Sequence, residues 1–141
     1  MFNKLAVNPG YAGSNNGICA TLLGRHQWMG FDGKPETYLL SVEGTVDAIH
    51  GGVGLTVMSD QLGAQSNIAA KLAYACRLNL GSGQLGVGVD VGIMSQAIKG
   101  SELNPVEAND PNIPQGDESG IAPDLGFGAY YNTDKLYFGI G

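Results

Sequence analysis

The chain contains two histidines, His26 and His50, which are its first candidates for acid–base or metal chemistry. No H-x-x-x-H, H-E-x-x-H or G-x-S-x-G pattern accompanies them. Neither imidazole therefore has a recognisable nucleophile, orienting carboxylate or second metal ligand beside it. We expect His50 in a turn and His26 in a strand. The two histidines therefore predict neither a catalytic nor a metal site, and no cofactor is expected.

A glycine-rich stretch offers a second candidate site. Residues 81–86, Gly-Ser-Gly-Gln-Leu-Gly, fit the G-x-G-x-x-G fingerprint of dinucleotide-binding proteins. That fingerprint needs a helix directly afterwards, because the helix N-terminus binds the pyrophosphate. A strand pattern follows here instead. The stretch is therefore expected to form a hairpin turn.

Acidic side chains are concentrated in the segment from about Gly100 to Pro123, which has four prolines and no lysine or arginine. It lacks the D-x-[DN]-x-[DN]-G spacing that places oxygen ligands around one calcium ion. We favour a solvated surface loop, and calcium binding or protein docking stay open as alternatives. The acidic residues are Glu102, Glu107, Asp110, Asp117 and Glu118.

The composition excludes several other classes of protein. Seven Lys+Arg residues against 13 Asp+Glu residues give a formal net charge of −6, and the basic residues form no cluster, so nucleic acid is not an expected partner. Cys19 and Cys76 have no C-x-x-C spacing and are expected to be packed residues. With 23 glycines and 43% hydrophobic residues, the chain suits closely packed strands rather than disorder.

Strand patterns repeat along the chain and elements of helical character are nearly absent. Between Leu85 and Ile93, apolar side chains alternate with glycine or aspartate, a period of two that places the apolar groups on one face. Residues 68–80 alternate in the same way over a length that suits a tilted membrane-spanning strand of about 9–11 residues. Residues 18–31, 37–46, 53–57, 125–129 and 136–140 carry shorter versions of the pattern.

Turns and loops fall on opposite ends of these strands. Short turns are expected at Gly51-Gly52, Gly81–Gly83 and Asn132–Asp134, whereas the long acidic loop lies at the other end. This asymmetry is typical of outer-membrane β-barrels. We therefore predict an all-β fold, an antiparallel up-and-down outer-membrane β-barrel, here a partial barrel of about seven strands. One domain is expected over residues 1–141, with an entry segment at 1–16, strands at 17–141 and the acidic loop at about 100–123.

The barrel interpretation also predicts where aromatic and charged side chains lie. Trp28, Phe31 and Tyr38 are expected near one rim, and residues 130, 131, 137 and 138 near the other, as interface girdles. Charged residues on the other face of the strands are expected to point into the lumen and to pair across it, because a charge facing lipid costs roughly 2–4 kcal/mol near the midplane. A lumenal binding or conduction role stays open as the alternative. These candidate lumenal charges are Arg25, Glu43, Lys71, Arg77 and Asp90.

Two motifs resemble signatures of the PorP/SprF family of type IX secretion membrane proteins. Residues 8–14 resemble the family's "NPAYAGS" motif, with Gly10 in place of alanine. Residues 25–37 resemble its "RNQW-GF-G-P-T" motif, with His26 where asparagine is common. Val53–Asp60 and Pro123–Tyr131 are similar to two further family regions. The signature positions are Asn8, Pro9, Tyr11, Ala12, Gly13, Ser14, Arg25, Gln27, Trp28, Gly30, Phe31, Gly33 and Pro35.

The resemblance implies an outer-membrane β-barrel accessory of the type IX system that supports export or surface attachment of cargo proteins and gliding motility. It implies outer-membrane lipid, secretion-machinery proteins and cargo as partners, and no catalytic activity. It also implies a signal peptide upstream and further strands downstream. Two alternatives remain: a general porin-like channel, and a soluble β-barrel that binds an apolar ligand with Leu85, Val87 and Val89 inside.

Overall fold

The computed structural model describes residues 3–15, 17–28, 30, 33–99 and 117–141. These form one antiparallel sheet of seven strands, in which each strand pairs with its neighbours in sequence. The sheet curls into a half-barrel, which confirms the predicted up-and-down all-β fold. The strands are β1 (Cys19–His26), β2 (Glu36–Val46), β3 (Gly51–Leu62), β4 (Gln65–Leu80), β5 (Gly83–Lys99), β6 (Asp117–Asn132) and β7 (Tyr137–Ile140). Short 3-10 helices lie at Pro9–Tyr11 and Asp47–Ile49.

The register places apolar side chains in continuous rows on the convex face. One such row crosses five strands, and all its members are exposed, Leu72 by 57% and Leu125 by 68%. Because residues directly opposite in the pairing share a face, the two-residue alternation within each strand becomes one apolar outer surface. The row consists of Val42, Leu55, Leu72, Val91 and Leu125.

The concave face carries small and polar side chains instead. The predicted alternation in β5 is confirmed, since Gly86, Gly88 and Asp90 are buried while Val87 and Val89 are exposed. In the row of the concave face that contains Gly88, every residue is small. Its members are Thr45, Gly52, Ala75, Gly88 and Gly128.

Two predicted connections are wrong in their boundaries. The β2–β3 turn is not at Gly51-Gly52, because both glycines belong to β3 and the chain reverses at residues 47–50, where His50 takes a left-handed φ of 48°. The acidic loop does not reach Pro123, because β6 begins at Asp117, which pairs with Lys99. Residues 100–116, with Glu102, Glu107 and Asp110, lie outside the described residues.

The aromatic prediction is wrong at two positions. Tyr130 and Tyr137 lie on the concave face rather than at the outer interface, and their ring centroids stand 6.3 Å apart. Trp28 is 67% exposed and follows the end of β1, in a left-handed conformation with φ of 55°. Phe31 lies outside the described part of the chain. Among the described residues, no helix has the length and apolarity needed to cross a membrane.

Candidate functional site: a plug on the concave face

The segment before β1 lies inside the half-barrel, at the end where the β2–β3 and β4–β5 turns are. We call residues 3–15 the plug segment, and it lies on the concave face of the sheet, where it contacts strands β2 to β7. Leu5 and Ala12 of this segment are buried and pack against Ala73 and Ala75 of β4. This small cluster is an apolar core between the plug segment and the sheet.

Local sequence determines the compact shape of the plug segment. Pro9 stands at the first position of the 3-10 helix, where its fixed φ is suitable and its missing N–H is no loss. The Asn8 side chain caps the same helix by accepting a hydrogen bond from the Gly10 N–H at 2.8 Å. Gly13 has a φ of 71°, a left-handed conformation that suits glycine. The Asn-Pro-Gly-Tyr-Ala-Gly sequence thus builds a tight turn that the half-barrel can enclose.

Asn8 connects the plug segment to the last two strands. Its Nδ2 donates hydrogen bonds to the carbonyl oxygens of Ala129 in β6 and Ile140 in β7, at 3.0 and 3.1 Å. Its amide group lies against Gly128 and Gly139, where any Cβ would overlap it. The asparagine is buried, and both polar atoms of its side chain have hydrogen-bond partners within the protein.

Glycines of the strands allow the plug segment to approach the sheet backbone. A Cβ at Gly52 would overlap the main chain of Ala12, and a Cβ at Gly88 would overlap that of Pro9. Gly86 is in similar contact with Gly10. We call Gly52, Gly86, Gly88 and Gly128 the glycine track. The glycine track explains why glycine alternates with large apolar residues in β5. The large side chains form the apolar convex face, whereas a side chain at Gly86 or Gly88 would overlap the plug segment.

Gly10 itself stands where the family signature has alanine. A Cβ at this position would lie 2.8 Å from the carbonyl oxygen of Gly86 and 2.9 Å from the nitrogen of Tyr130. Both distances are shorter than real Cβ contacts allow. This chain therefore seats its plug segment closer to the sheet than an alanine at position 10 would permit.

Polar side chains of β2 and β4 hold the end of the plug segment through its main chain and through the Asn15 side chain. The Glu43 carboxylate accepts hydrogen bonds from the Gly13 N–H at 3.1 Å and from Asn15 Nδ2 at 2.8 Å. Arg77 donates from Nη1 to the carbonyl oxygen of Ala12 at 3.0 Å, and Thr45 donates from Oγ1 to that of Gly13 at 3.1 Å. These buried or half-buried groups are paired with the plug segment.

Lys4 anchors the front of the plug segment in an aromatic cage. Its Nζ donates a hydrogen bond to the Tyr130 hydroxyl at 3.0 Å and stands 4.0 Å from the centroid of the Tyr137 ring. Tyr11 completes the cage, and the Nζ lies 5.4 Å from its centroid. The hydrogen bond to Tyr130 holds the pKa of Lys4 above its ordinary value of 10.5. The stabilising contribution of this charge is therefore complete at neutral pH and is lost only as the pH rises through that higher pKa.

The candidate lumenal charges form separate groups. Arg25 and Glu43 are not brought together, because the register places Arg25 opposite Thr37 and Glu43 opposite Cys19. Arg25 instead donates a hydrogen bond to Gln27. Both Arg25 and Glu43 nevertheless lie on the concave face of the sheet.

Lys71 lies between two aspartates on the concave face, farther from the β4–β5 turn than the plug segment. Its Nζ stands 2.6 Å from Asp124 Oδ2 and 3.9 Å from Asp90 Oδ1. The closer partner, Asp124, was not among the candidate residues. It follows Pro123, and the sequence pattern had assigned that proline to the loop rather than to β6.

The second signature motif builds the β1–β2 connection. The Gln27 N–H donates to the Pro35 carbonyl at 3.0 Å, which closes the connection between the two strands. Gly30 and Gly33 have φ of 97° and 75°. Gly33 also accepts a hydrogen bond from the Gly63 N–H at 3.1 Å, so this connection contacts the β3–β4 turn. The two motifs therefore lie at opposite ends of the half-barrel.

Removing the Asn8 amide is expected to weaken the seat of the plug segment. The Asn8→Ala variant loses two hydrogen bonds to strand carbonyls and the cap on Gly10, and we expect a loss of about 2 kcal/mol in the free energy of unfolding. Urea unfolding of the protein in lipid vesicles measures this. The matched control is Asn67→Ala, whose amide accepts a hydrogen bond from Gln65 but touches no plug residue. Equal stability of the two variants would contradict the assigned role of Asn8.

Within the described ranges, no group of three or more His, Cys, Asp and Glu side chains could hold a metal ion. The whole chain, residues 1–141, matches the model of a family described as type IX secretion system membrane protein PorP/SprF. Comparison with curated proteins gave no match, and comparison with solved structures gave none either.

Proposed function

Because the chain belongs to the PorP/SprF family of type IX secretion system membrane proteins, we propose that it is an outer-membrane β-barrel accessory of that system. In this proposal it supports the export or surface attachment of cargo proteins and, through them, gliding motility. Its partners are outer-membrane lipid, proteins of the secretion machinery and cargo. Its role is structural and recognitive rather than enzymatic.

The plug segment is the observation that carries this proposal. It is formed by the first family signature, and its main chain lies against the glycine track on the concave face. A sheet that devotes its inner surface to holding a polypeptide suits a protein that handles polypeptides. A general porin needs a water-filled lumen instead, so the plug segment favours the secretion role over the porin-like channel.

The convex face supports a membrane location. Its rows of exposed Val, Leu and Ile side chains form the kind of apolar band that faces lipid in outer-membrane barrels. The soluble ligand-binding alternative would place Val87 and Val89 inside, yet both lie on the convex face, exposed by 49% and 43%. The outer membrane is therefore the location we propose.

Loss of cargo export in a deletion strain tests the proposal. The gene is deleted in its own host, and cargo is quantified on the cell surface and in the medium, with gliding scored in parallel. We expect selective loss of particular cargo, restored by the wild-type gene. Normal export of all cargo, together with a stable ion conductance of the purified protein in planar bilayers, would favour the porin-like alternative.

A further inference from the structure

A polar pocket lies between the β4–β5 turn, the β6–β7 connection and the end of the plug segment. Its volume is about 400 Å³, within the range of about 300–1,000 Å³ that is usual for ligand pockets. The pocket therefore has room for a side chain of a partner molecule. Its lining includes the polar side chains of Ser14, Asn79, Ser82, Gln84, Asn132 and Asp134.

Two side-chain oxygens of this pocket have no hydrogen-bond partner. Among the described residues, four buried side-chain atoms lack a partner, and two of these, Ser14 Oγ and Asn132 Oδ1, belong to residues that line this one pocket. An unpaired buried polar atom destabilises a protein, so a ligand that supplies the missing bond is favoured. Both residues are only partly buried, and a change of rotamer is enough to turn each oxygen toward a ligand.

The charge of the pocket favours a cation. Asp134 is the one charged residue among the described residues that line it. Arg77 and Lys135 do not line the pocket, although Arg77 Nη2 donates a hydrogen bond to Gln84 Oε1 at 3.5 Å. A carboxylate without a basic partner in the same wall attracts a positively charged group.

A primary ammonium group matches both features. It has three N–H donors and no acceptor, so it needs oxygens such as Ser14 Oγ and Asn132 Oδ1. The Asp134 carboxylate offers a charge-assisted hydrogen bond, which is stronger than a neutral one. A sugar would bring acceptors as well as donors, and no aromatic ring on which a sugar could stack is found in the described lining of this pocket.

The position of the pocket limits the source of that ammonium group. Asn79, Gln84 and Asn132 are opposite one another in the strand pairing and share the concave face. Lipid headgroups surround the convex face, so they are on the other side of the sheet. The short turns of outer-membrane barrels face the periplasm. A side chain of a periplasmic polypeptide can therefore enter from this end.

We propose that this pocket binds a lysine side chain of a periplasmic polypeptide. Asn132 and Ser14 accept hydrogen bonds from its ammonium group, and Asp134 balances its charge. The inference rests on the proposed function for the orientation of the half-barrel in the outer membrane. The recognition itself depends on the pocket alone.

Binding of a short lysine peptide to the purified full chain tests the proposal. The probe is acetyl-Gly-Lys-Gly-amide, titrated in detergent and followed by calorimetry, and its comparison carries Nε-acetyl-lysine, which has no charge. We expect the lysine peptide to bind at least about tenfold more tightly than the acetylated one, and Asn132→Leu to weaken its binding about tenfold, because a hydrogen bond to a charged group is lost. Equal binding of the two peptides, or of the two proteins, would overturn the proposal.

Two further variants keep the test valid if Asn132→Leu disturbs folding. Asp134→Asn changes an exposed residue of the β6–β7 connection and should weaken binding of the lysine peptide about threefold. Asn132→Asp adds a charge and should strengthen it about threefold, whereas Asn67→Leu, which lies outside the pocket, should leave it unchanged. Weaker binding by Asn132→Asp would overturn the proposal.

A glycan probe separates the other class of ligand. Diacetylchitobiose, an uncharged disaccharide, is titrated under the same conditions, and we expect no binding. Binding of the disaccharide without binding of the lysine peptide would assign the pocket to glycans and overturn the proposal. Because peptide binding is measured on purified protein and cargo export in cells, failure of this inference is distinguished from failure of the proposed function.

Discussion

Replacing Gly88 with valine is expected to unseat the plug segment while leaving the sheet intact. The new side chain would overlap the main chain of Pro9 and Gly10, and backbone atoms cannot rotate aside as a flexible side chain can. Overpacking of this kind costs about 1–3 kcal/mol, and we expect a cost near the upper end of that range here. A cost of this size lowers the ratio of seated to unseated plug segment roughly a hundredfold. Protease cleavage within residues 3–15, followed by mass spectrometry of the folded protein, measures the change.

The matched control is Gly120→Val. Gly120 shares the concave phase of β6, and a Cβ there would have no neighbouring atom within 4 Å. In the Gly120→Val variant, the plug segment should stay as protected from protease as it is in the wild-type protein. If Gly88→Val left the plug segment equally protected, the glycine track would not be the seat of the plug.

Replacing Val91 with arginine is expected to disrupt assembly in the membrane. Val91 lies in the middle of β5 on the convex face, between Leu72 and Leu125 of the neighbouring strands. Arginine on the lipid-facing surface costs about 2–4 kcal/mol near the midplane of the bilayer, and we expect about 3 kcal/mol. The free energy of unfolding in lipid vesicles, measured with urea, reports this loss.

Gln96→Arg is the comparison for this prediction. Gln96 lies on the same strand but in the concave phase, opposite Asn67 and Gly120. Arginine there faces the interior and should cost less than about 1 kcal/mol, as is usual for substitutions outside tightly packed positions. Equal losses at the two positions would contradict the assignment of the convex face to lipid.

The sheet could be predicted from the sequence because its information is local. Alternation of Val87, Val89 and Val91 with glycine or aspartate determines both the strand and its two faces. Consecutive strands then pair in order, since strands that follow each other in sequence are usually neighbours in a sheet. Seven strands and their sidedness follow without any knowledge of long-range contacts.

The plug segment could not be predicted in the same way, because its contacts join residues far apart in the chain. The barrel interpretation of the sequence predicts a lumen on the inner face, whereas Gly52, Gly86 and Gly88 leave room there for a polypeptide. The signal that could have revealed this was the pairing of glycines two positions apart, at Gly86 and Gly88 in β5 and at Gly126 and Gly128 in β6. Alternation of that kind indicates close approach of another backbone.

Two of the wrong predictions concern residues that contact the plug segment. Gly51-Gly52 has the residue types of a hairpin turn, but Gly52 lies within β3, against the main chain of Ala12. Tyr130 and Tyr137 suit an interface girdle by residue type, but they form the cage of Lys4. At these positions, contacts with the plug segment outweigh the local preference.

Formation of a disulfide between plug and sheet tests the central claim most directly. A Cβ at Gly54 would lie 3.3 Å from Leu5 Cγ, the atom whose place the Sγ of a cysteine at position 5 would take, so the two side chains are near enough to form a disulfide. In a Cys19→Ser, Cys76→Ser background, we expect Leu5→Cys with Gly54→Cys to form this bond in intact outer membranes under mild oxidation, and Leu5→Cys with Gly120→Cys to form none. A correctly assembled barrel in which the first pair stays reduced would show that the plug segment does not occupy the concave face.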